Sequence, residues 1–158
     1  MENKALQRAL ISGATSSVLS TVAMAVVGKM QTGSAYAPTN AVSHYVHGKK
    51  ANYRDRFSLR YTVPGYLIHH ASATFWSFVF ERALGGVMDG KNPMAIAAAS
   101  AATSAFAAFT DYKLTPRPLQ PGYEKRLPRK ALGVVYVGFA IGLAVGAILS
   151  RKDQPPAT

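Results

Sequence analysis

Four stretches of the chain, residues 9–28, 61–80, 92–110 and 131–150, hold no Lys, Arg, Asp or Glu and consist mainly of apolar or small residues. A helix of some twenty residues is about 30 Å long, the thickness of a bilayer's hydrocarbon core. Water-soluble domains of this size distribute their charges along every helix, so four charge-free blocks constrain the fold more than any other feature. They predict an all-α membrane protein, a single domain over 1–158 built as a bundle of four transmembrane helices. The spans are expected at about 9–28, 61–82, 92–110 and 131–150, with loops at 29–60 and 111–130.

Absence of charge is not sufficient by itself. Residues 30–48 are also uncharged, yet they include Gln31, Asn40, Ser43, His44, His47 and Pro38 and are too polar to cross lipid. The third block is the weakest of the four, because alanine and serine favour helix more than they favour hydrocarbon. It is expected to insert among its neighbours. A cleavable leader is considered for the first block, since Ala35-Tyr36-Ala37 resembles a cleavage site after a basic start. The apolar run is too long and the site too far beyond it, and Pro38 follows the cut. The block reads as a retained helix.

Charge is concentrated between the blocks. Formal charge is +11, and cysteine is absent, which excludes disulfides, zinc–thiolate sites, iron–sulfur clusters and covalently attached haem. Of the 18 Lys and Arg, twelve lie in the two long loops and six in the termini and the middle turn. The positive-inside rule then sets both loops in the cytoplasm and both termini outside, against the opposing cue of Lys4 and Arg8. Cations interleaved with Tyr45, Tyr53, Phe57 and Tyr61 suit anionic lipid headgroups, and no nucleic-acid motif accompanies them. The loop 111–130 is too rich in proline for regular helix, and Pro155-Pro156 predict a frayed tail.

Small residues mark where helices meet. Gly138, Gly142 and Gly146 share one face of the fourth block, and Gly13, Ser17, Thr21 and Ala25 share one face of the first. Such faces let backbones approach closely in lipid. They predict packing inside one bundle, with a homo-oligomer through the fourth helix as the alternative.

Polar residues inside the blocks are the functional candidates, because lipid penalises them. The second block holds His69 and His70, which point about 100° apart on a helix. His70 lies on a stripe with Tyr66, Thr74, Ser77 and Glu81, whereas His69 shares a side with Trp76 and Phe80. The third block offers Ser100, Ser104 and Asp111 as a second stripe, expected to face the first. A hydrogen-bond network that fixes register, with His70 bonded to a serine or a carbonyl, is the plainer use. Glu81 beside Arg82, and Asp111, are read as interfacial ion pairs in that case. A proton path through His70, Glu81 and Asp111 is the sharper use. His44 and His47, spaced like metal ligands on one helical turn, could join His69 or His70 around a metal ion or haem. No carboxylate-x-x-His pair accompanies them, and no other block supplies a histidine, so no cofactor is favoured. Neither a nucleophile elbow nor a phosphate loop is present.

The stretches Ala37-Pro38-Thr39-Asn40-Ala41-Val42-Ser43-His44, Ile68-His69-His70-Ala71 and Asp111-Tyr112-Lys113-Leu114-Thr115-Pro116-Arg117 resemble a group of small proteobacterial inner-membrane proteins. The resemblance covers residues 33–122. It implies a multi-pass protein of the bacterial inner membrane, supplies no activity, and draws Asn40, His44, His69, His70 and Asp111 together as one constellation. The leading expectation is a non-enzymatic accessory or scaffold subunit with a protein partner. A small transporter or proton-linked channel, and a metal- or haem-binding protein, are the alternatives.

Overall fold

The structure, a computed structural model, describes residues 2–90 and 92–152. Of the tail expected to fray over residues 151–158, residues 153–158 lie outside the described residues, whereas Arg151 is buried. These residues form helices and turns with no strand. Four long helices carry the fold: α1 (Glu2–Thr32), α4 (Thr62–Met88), α5 (Pro93–Phe109) and α6 (Arg129–Leu149). Between α1 and α4 lie two short helices, α2 (Ala37–Val42) and α3 (His44–His47), and a 3₁₀ stretch at Gly48–Tyr53. A π-turn, Thr110–Leu114, continues α5, and two 3₁₀ turns precede α6.

The helices begin and end where local chemistry dictates. Gly33 adopts φ +75°, and its N–H donates to the Lys29 carbonyl, which closes α1. The Asn92 side chain accepts from the Met94 N–H at 3.0 Å with Pro93 in the first turn, which opens α5. The second span was expected to end at about residue 82 before a middle turn, but α4 runs on through Gly85 and Gly86 to Met88. Burial explains this: Glu81, Gly85 and Met88 all face inward, one helical turn apart.

Three helices are long and apolar enough to cross a membrane: Asn3–Thr32, Pro93–Leu114 and Arg129–Leu149. The helix of the third block is the least apolar of these three, as expected, but it is not the weakest of the four. α4, at 27 residues the second longest helix, is the one outside that set. The reason lies in its own sequence, where Tyr66, His69, His70, Thr74, Ser77, Glu81 and Arg82 dilute the apolar residues.

The interior combines an apolar core, with Met24, Phe80, Met88, Phe139 and Leu143 buried, and an unusual share of buried polar groups. Ser12, Ser16, Ser17, Ser20 and Ser77 are fully buried, as is Asn40, and Arg151 is 2 % exposed. Val22, Val26, Leu67, Phe75, Phe106, Val137 and Ile141 are all more than half exposed. Every long helix, α4 included, exposes large apolar side chains, while its inward face mixes polar and small residues with large apolar ones such as Phe80, Ile96 and Phe139.

The closest approach is between α1 and α6, which run antiparallel. A Cβ on Gly138 would meet the Leu19 carbonyl at 3.1 Å, and on Gly142 and Gly146 it would strike the Cα of Ser16 and of Ser12. Thr15 Oγ1 donates across the same seam to the Gly142 carbonyl at 2.7 Å. All three glycines are used within one chain, so the face considered for homo-oligomerisation is already occupied. On α1 the face that meets α6 is Ser12, Ser16 and Ser20, one residue out of step with the expected Gly13, Ser17, Thr21 and Ala25; Gly13 instead admits Thr74 of α4. Gly142→Val should cost about 1–3 kcal/mol through overpacking against backbone. Gly133→Ala, which adds a methyl group to open space, should be neutral. Melting of both variants in detergent, followed by size exclusion, checks this, and equal melting temperatures would remove the glycine seam as a determinant of the fold.

Candidate functional site

At one end of the bundle the connecting segments fold into a cap. All six residues of α2 are buried, with the Thr39 carbonyl lying against Gly65 of α4, where any side chain would block it. Asn40 is the hub: its amide donates to the Arg54 and Arg56 carbonyls at 2.9 and 3.0 Å and accepts from Thr62 Oγ1 at 2.6 Å. The second long loop closes over the first. Tyr45 Oη donates to the Leu119 carbonyl at 2.7 Å, and Arg126 reaches the Asn52 carbonyl at 2.6 Å and Asp55 at 2.5 Å.

The histidines scatter around this cap. His44 turns one ring nitrogen to the Ala41 carbonyl and the other to that of Pro118, at 3.0 and 3.3 Å, which leaves no lone pair directed at a metal. His47 packs edge-on against Tyr61, and His70 lies beside Tyr66 with its Nδ1 buried and unpaired. No group of three metal-ligating side chains forms among the described residues. The set His44, His47, His69 and His70 is therefore not assembled. The constellation with Asn40 and Asp111 is divided between cap and helices.

His69 is the histidine that enters the bundle. Its Nε2 lies 2.8 Å from Ser20 Oγ of α1, and this contact begins a line of polar pairs between α1 and α4. Ser16 and Ser77 hydroxyls follow at 3.4 Å, and Ser12 donates to Glu81 at 3.3 Å. The serine-bonded histidine is thus His69, where His70 was expected. The two polar stripes were expected to face each other, and they do not. The α4 stripe meets the serines of α1, while Ser104 on α5 donates to the Tyr136 carbonyl of α6 at 2.7 Å. Ser100 is buried with its hydroxyl unpaired. The cause is the glycine seam, which draws α1 to the centre and separates the α4 stripe from α5.

The line ends in an ionic cluster at the far end of the bundle. Glu81 is held by both terminal nitrogens of Arg151, at 2.7 and 3.1 Å. Arg151 Nε donates to Asp89 at 3.1 Å, and Arg8 reaches the same Asp89 oxygen at 2.7 Å. Arg82, the neighbour first considered for Glu81, is exposed. Arg8, Asp89 and Arg151 were not singled out in the sequence. Their signal was topological: an up-and-down bundle brings the start of α1, the end of α4 and the end of α6 to one level.

Between cap and helices lies a half-open cavity of about 80 Å³. α4 lines it with His69, Ala73 and Trp76, α6 with Val135, Tyr136 and Phe139, and the cap with Tyr45 and Tyr123. Asp111 enters it from the π-turn, where the Thr115 N–H bonds back to Thr110 and the wider turn carries the carboxylate toward α6. Tyr136 Oη donates to Asp111 Oδ2 at 2.5 Å, and Tyr123 Oη donates to Tyr136 Oη at 3.0 Å. Tyr45, in the cap, has its phenol pushed above its usual pKa by burial and by the nearby Asp111 and Glu124 carboxylates, which keeps it a neutral donor. Trp76 meets Phe106 edge-on at 5.8 Å and closes the floor. No family model, curated protein or solved structure matches the chain.

The ionic cluster yields a specific expectation. Glu81→Met alone leaves a buried guanidinium half-paired and should cost about 3–5 kcal/mol. Adding Arg151→Met should recover most of that loss, since Arg8 retains Asp89. A double-mutant cycle on melting temperature checks it, and simple additivity of the two losses would show that the pair is not coupled.

Proposed function

We propose that the chain is a four-span integral protein of the bacterial inner membrane, in which α4 is the fourth span and the loop cap faces the cytoplasm. The outward apolar surface carries this reading. α4 exposes Leu67, Phe75 and Phe78, as its partners expose Val18, Val22 and Val137. In water such a girdle of apolar side chains would drive association, whereas in hydrocarbon it needs no cover. Ser77 and Glu81 of this helix are buried and His69 is bonded to Ser20 of α1, so much of its polar content is spent inside the bundle.

Orientation follows from charge. The two loops hold twelve of the 18 Lys and Arg but three of the 7 acidic residues, Asp55, Asp111 and Glu124. At the opposite end, Arg8 and Arg151 are engaged with Glu81 and Asp89 and contribute little outward field. The contrast between faces is sharper than a count of cations, and the cap is suited to rest on anionic headgroups.

Within that frame the protein is a non-catalytic accessory or scaffold subunit. Glu81 and Arg151, the most deeply buried ionic groups, saturate one another and so act as fasteners rather than reagents. The proton path considered from the sequence loses support, because His70, Glu81 and Asp111 lie in three separate settings. A small transporter remains as a second reading, favoured by the cavity beside Asp111.

The cysteine-free chain permits a direct test. Asn3→Cys, Leu59→Cys and Val22→Cys variants should behave differently toward a membrane-impermeant maleimide on spheroplasts. Position 3 should label at once, position 59 only after lysis, and position 22 in neither state. Release of the protein by alkaline carbonate, or labelling at position 22, would sink the spanning model. The reverse order at 3 and 59 would invert the orientation alone. Mild detergent should extract a complex larger than the single chain, and a lone chain with catalytic turnover would contradict the accessory role.

A further inference from the structure

Among the described side chains, the acidic groups are paired with a single exception. Asp55 lies against Arg126, Glu81 against Arg151, Asp89 against Arg8 and Arg151, and Glu124 against Lys125. Asp111 has no Lys or Arg within ion-pair distance, in a chain whose formal charge is +11. The abundance of cations makes that exception informative. A surplus carboxylate at the edge of a membrane helix is costly, and the ordinary remedy, a nearby lysine or arginine, is missing.

We infer that the cavity beside Asp111 takes a primary ammonium group, carried on a small alkylamine or on a lipid headgroup. Three observations select that chemistry. Asp111 supplies the countercharge. One of its oxygens is fixed by Tyr136 at 2.5 Å, with Tyr123 behind it, so the carboxylate is oriented before any ligand arrives. The walls are aromatic, with Tyr45, Trp76, Tyr123, Tyr136 and Phe139 around the space, and ring faces attract cations. No Lys or Arg lines the cavity, which removes the means of holding an anion.

Size narrows the ligand further. A dry cavity that encloses benzene measures about 150 Å³, roughly twice the volume here, which is about 80 Å³. An aminomethyl head enters such a space, while a ring or a bulky quaternary group would not be enclosed. The remainder of the ligand leaves through the open side. A metal ion is disfavoured because the described residues bring no three ligating groups together. His69, bonded to Ser20, forms the inner wall and presents no full positive charge as long as it is singly protonated.

Trp76 lines the cavity and is the single tryptophan of the chain, so its emission reports occupancy without a label. Purified full-length protein in detergent should show a saturable fluorescence change with n-butylammonium, confirmed by calorimetry. Butan-1-ol, similar in shape and uncharged, should give none in the same range. Asp111→Asn should weaken amine binding at least tenfold, and Trp76→Phe should abolish the optical signal while calorimetry still detects binding. A saturable response to dihexanoylphosphatidylethanolamine but not to butylammonium would assign the ammonium to a lipid. A response to both would leave the free amine sufficient. Equal binding of amine and alcohol, no binding of either ammonium source, or unchanged affinity in a well-folded Asp111→Asn protein would overturn the inference. Should that variant not fold, the amine-against-alcohol comparison on the native chain decides. The membrane topology does not enter these readouts, so failure here leaves the spanning model standing.

Discussion

The contact on which the rest of the bundle depends is the backbone approach of α1 to α6. Gly142 and Gly146 sit against the Cα atoms of Ser16 and Ser12, with the Thr15 hydroxyl bonded across the contact. In the membrane setting proposed above no solvent drives helices together, so close van der Waals contact and interhelical hydrogen bonds must do it. The same two serines then turn their hydroxyls to α4, toward Ser77 and Glu81. One short segment of α1 therefore serves two neighbours, offering backbone to α6 and side chains to α4. Because the residues are small, α1 reaches the centre of the bundle while still presenting Val18, Val22 and Val26 outward.

The ionic cluster acts on a different scale. The attraction between Glu81 and Arg151 is strong in a low-dielectric interior, but so is the cost of bringing both groups there. Its value lies in specificity. Arg8 from α1, Glu81 and Asp89 from α4 and its following turn, and Arg151 beyond α6 meet only when three helices share one vertical register. A slip of one turn, about 5.4 Å, would strand charges against lipid. The small-residue seam alone tolerates sliding, since its four-residue pattern repeats. Seam and cluster together specify both closeness and depth.

Much of this was legible in the sequence, and the remainder has identifiable causes. The helical blocks and the glycine face were readable because they depend on composition and on a four-residue spacing, both local properties. His69 was visible as a polar residue in a span, but the serine contact was expected of His70. Its orientation depends on which neighbour reaches α4 first, and that is decided by the α1–α6 seam. Arg151 was read as part of a tail, because nothing within its own stretch of chain distinguishes a buried arginine from an exposed one. The same limit hid the role of Tyr136 beside Asp111: a tyrosine in an apolar helix reads as packing until its partner across the bundle is known. Asn40 was drawn out by the resemblance alone, in a segment otherwise read as too polar to span, and its partners, the carbonyls of residues 54 and 56, are revealed by no periodicity.

The position of Arg151 also has a temporal side. It lies 70 residues after Glu81, and at a synthesis rate of 5–20 residues per second that interval is on the order of 4–14 s. Throughout it, a chain holding α1 and α4 has Glu81 and Asp89 beside Arg8 and Arg82 but lacks the guanidinium that takes both Glu81 oxygens. The pairing that fixes Glu81 is completed only once the last long helix has been made. The order of the chain thus makes the closing contact of the ionic cluster also its latest.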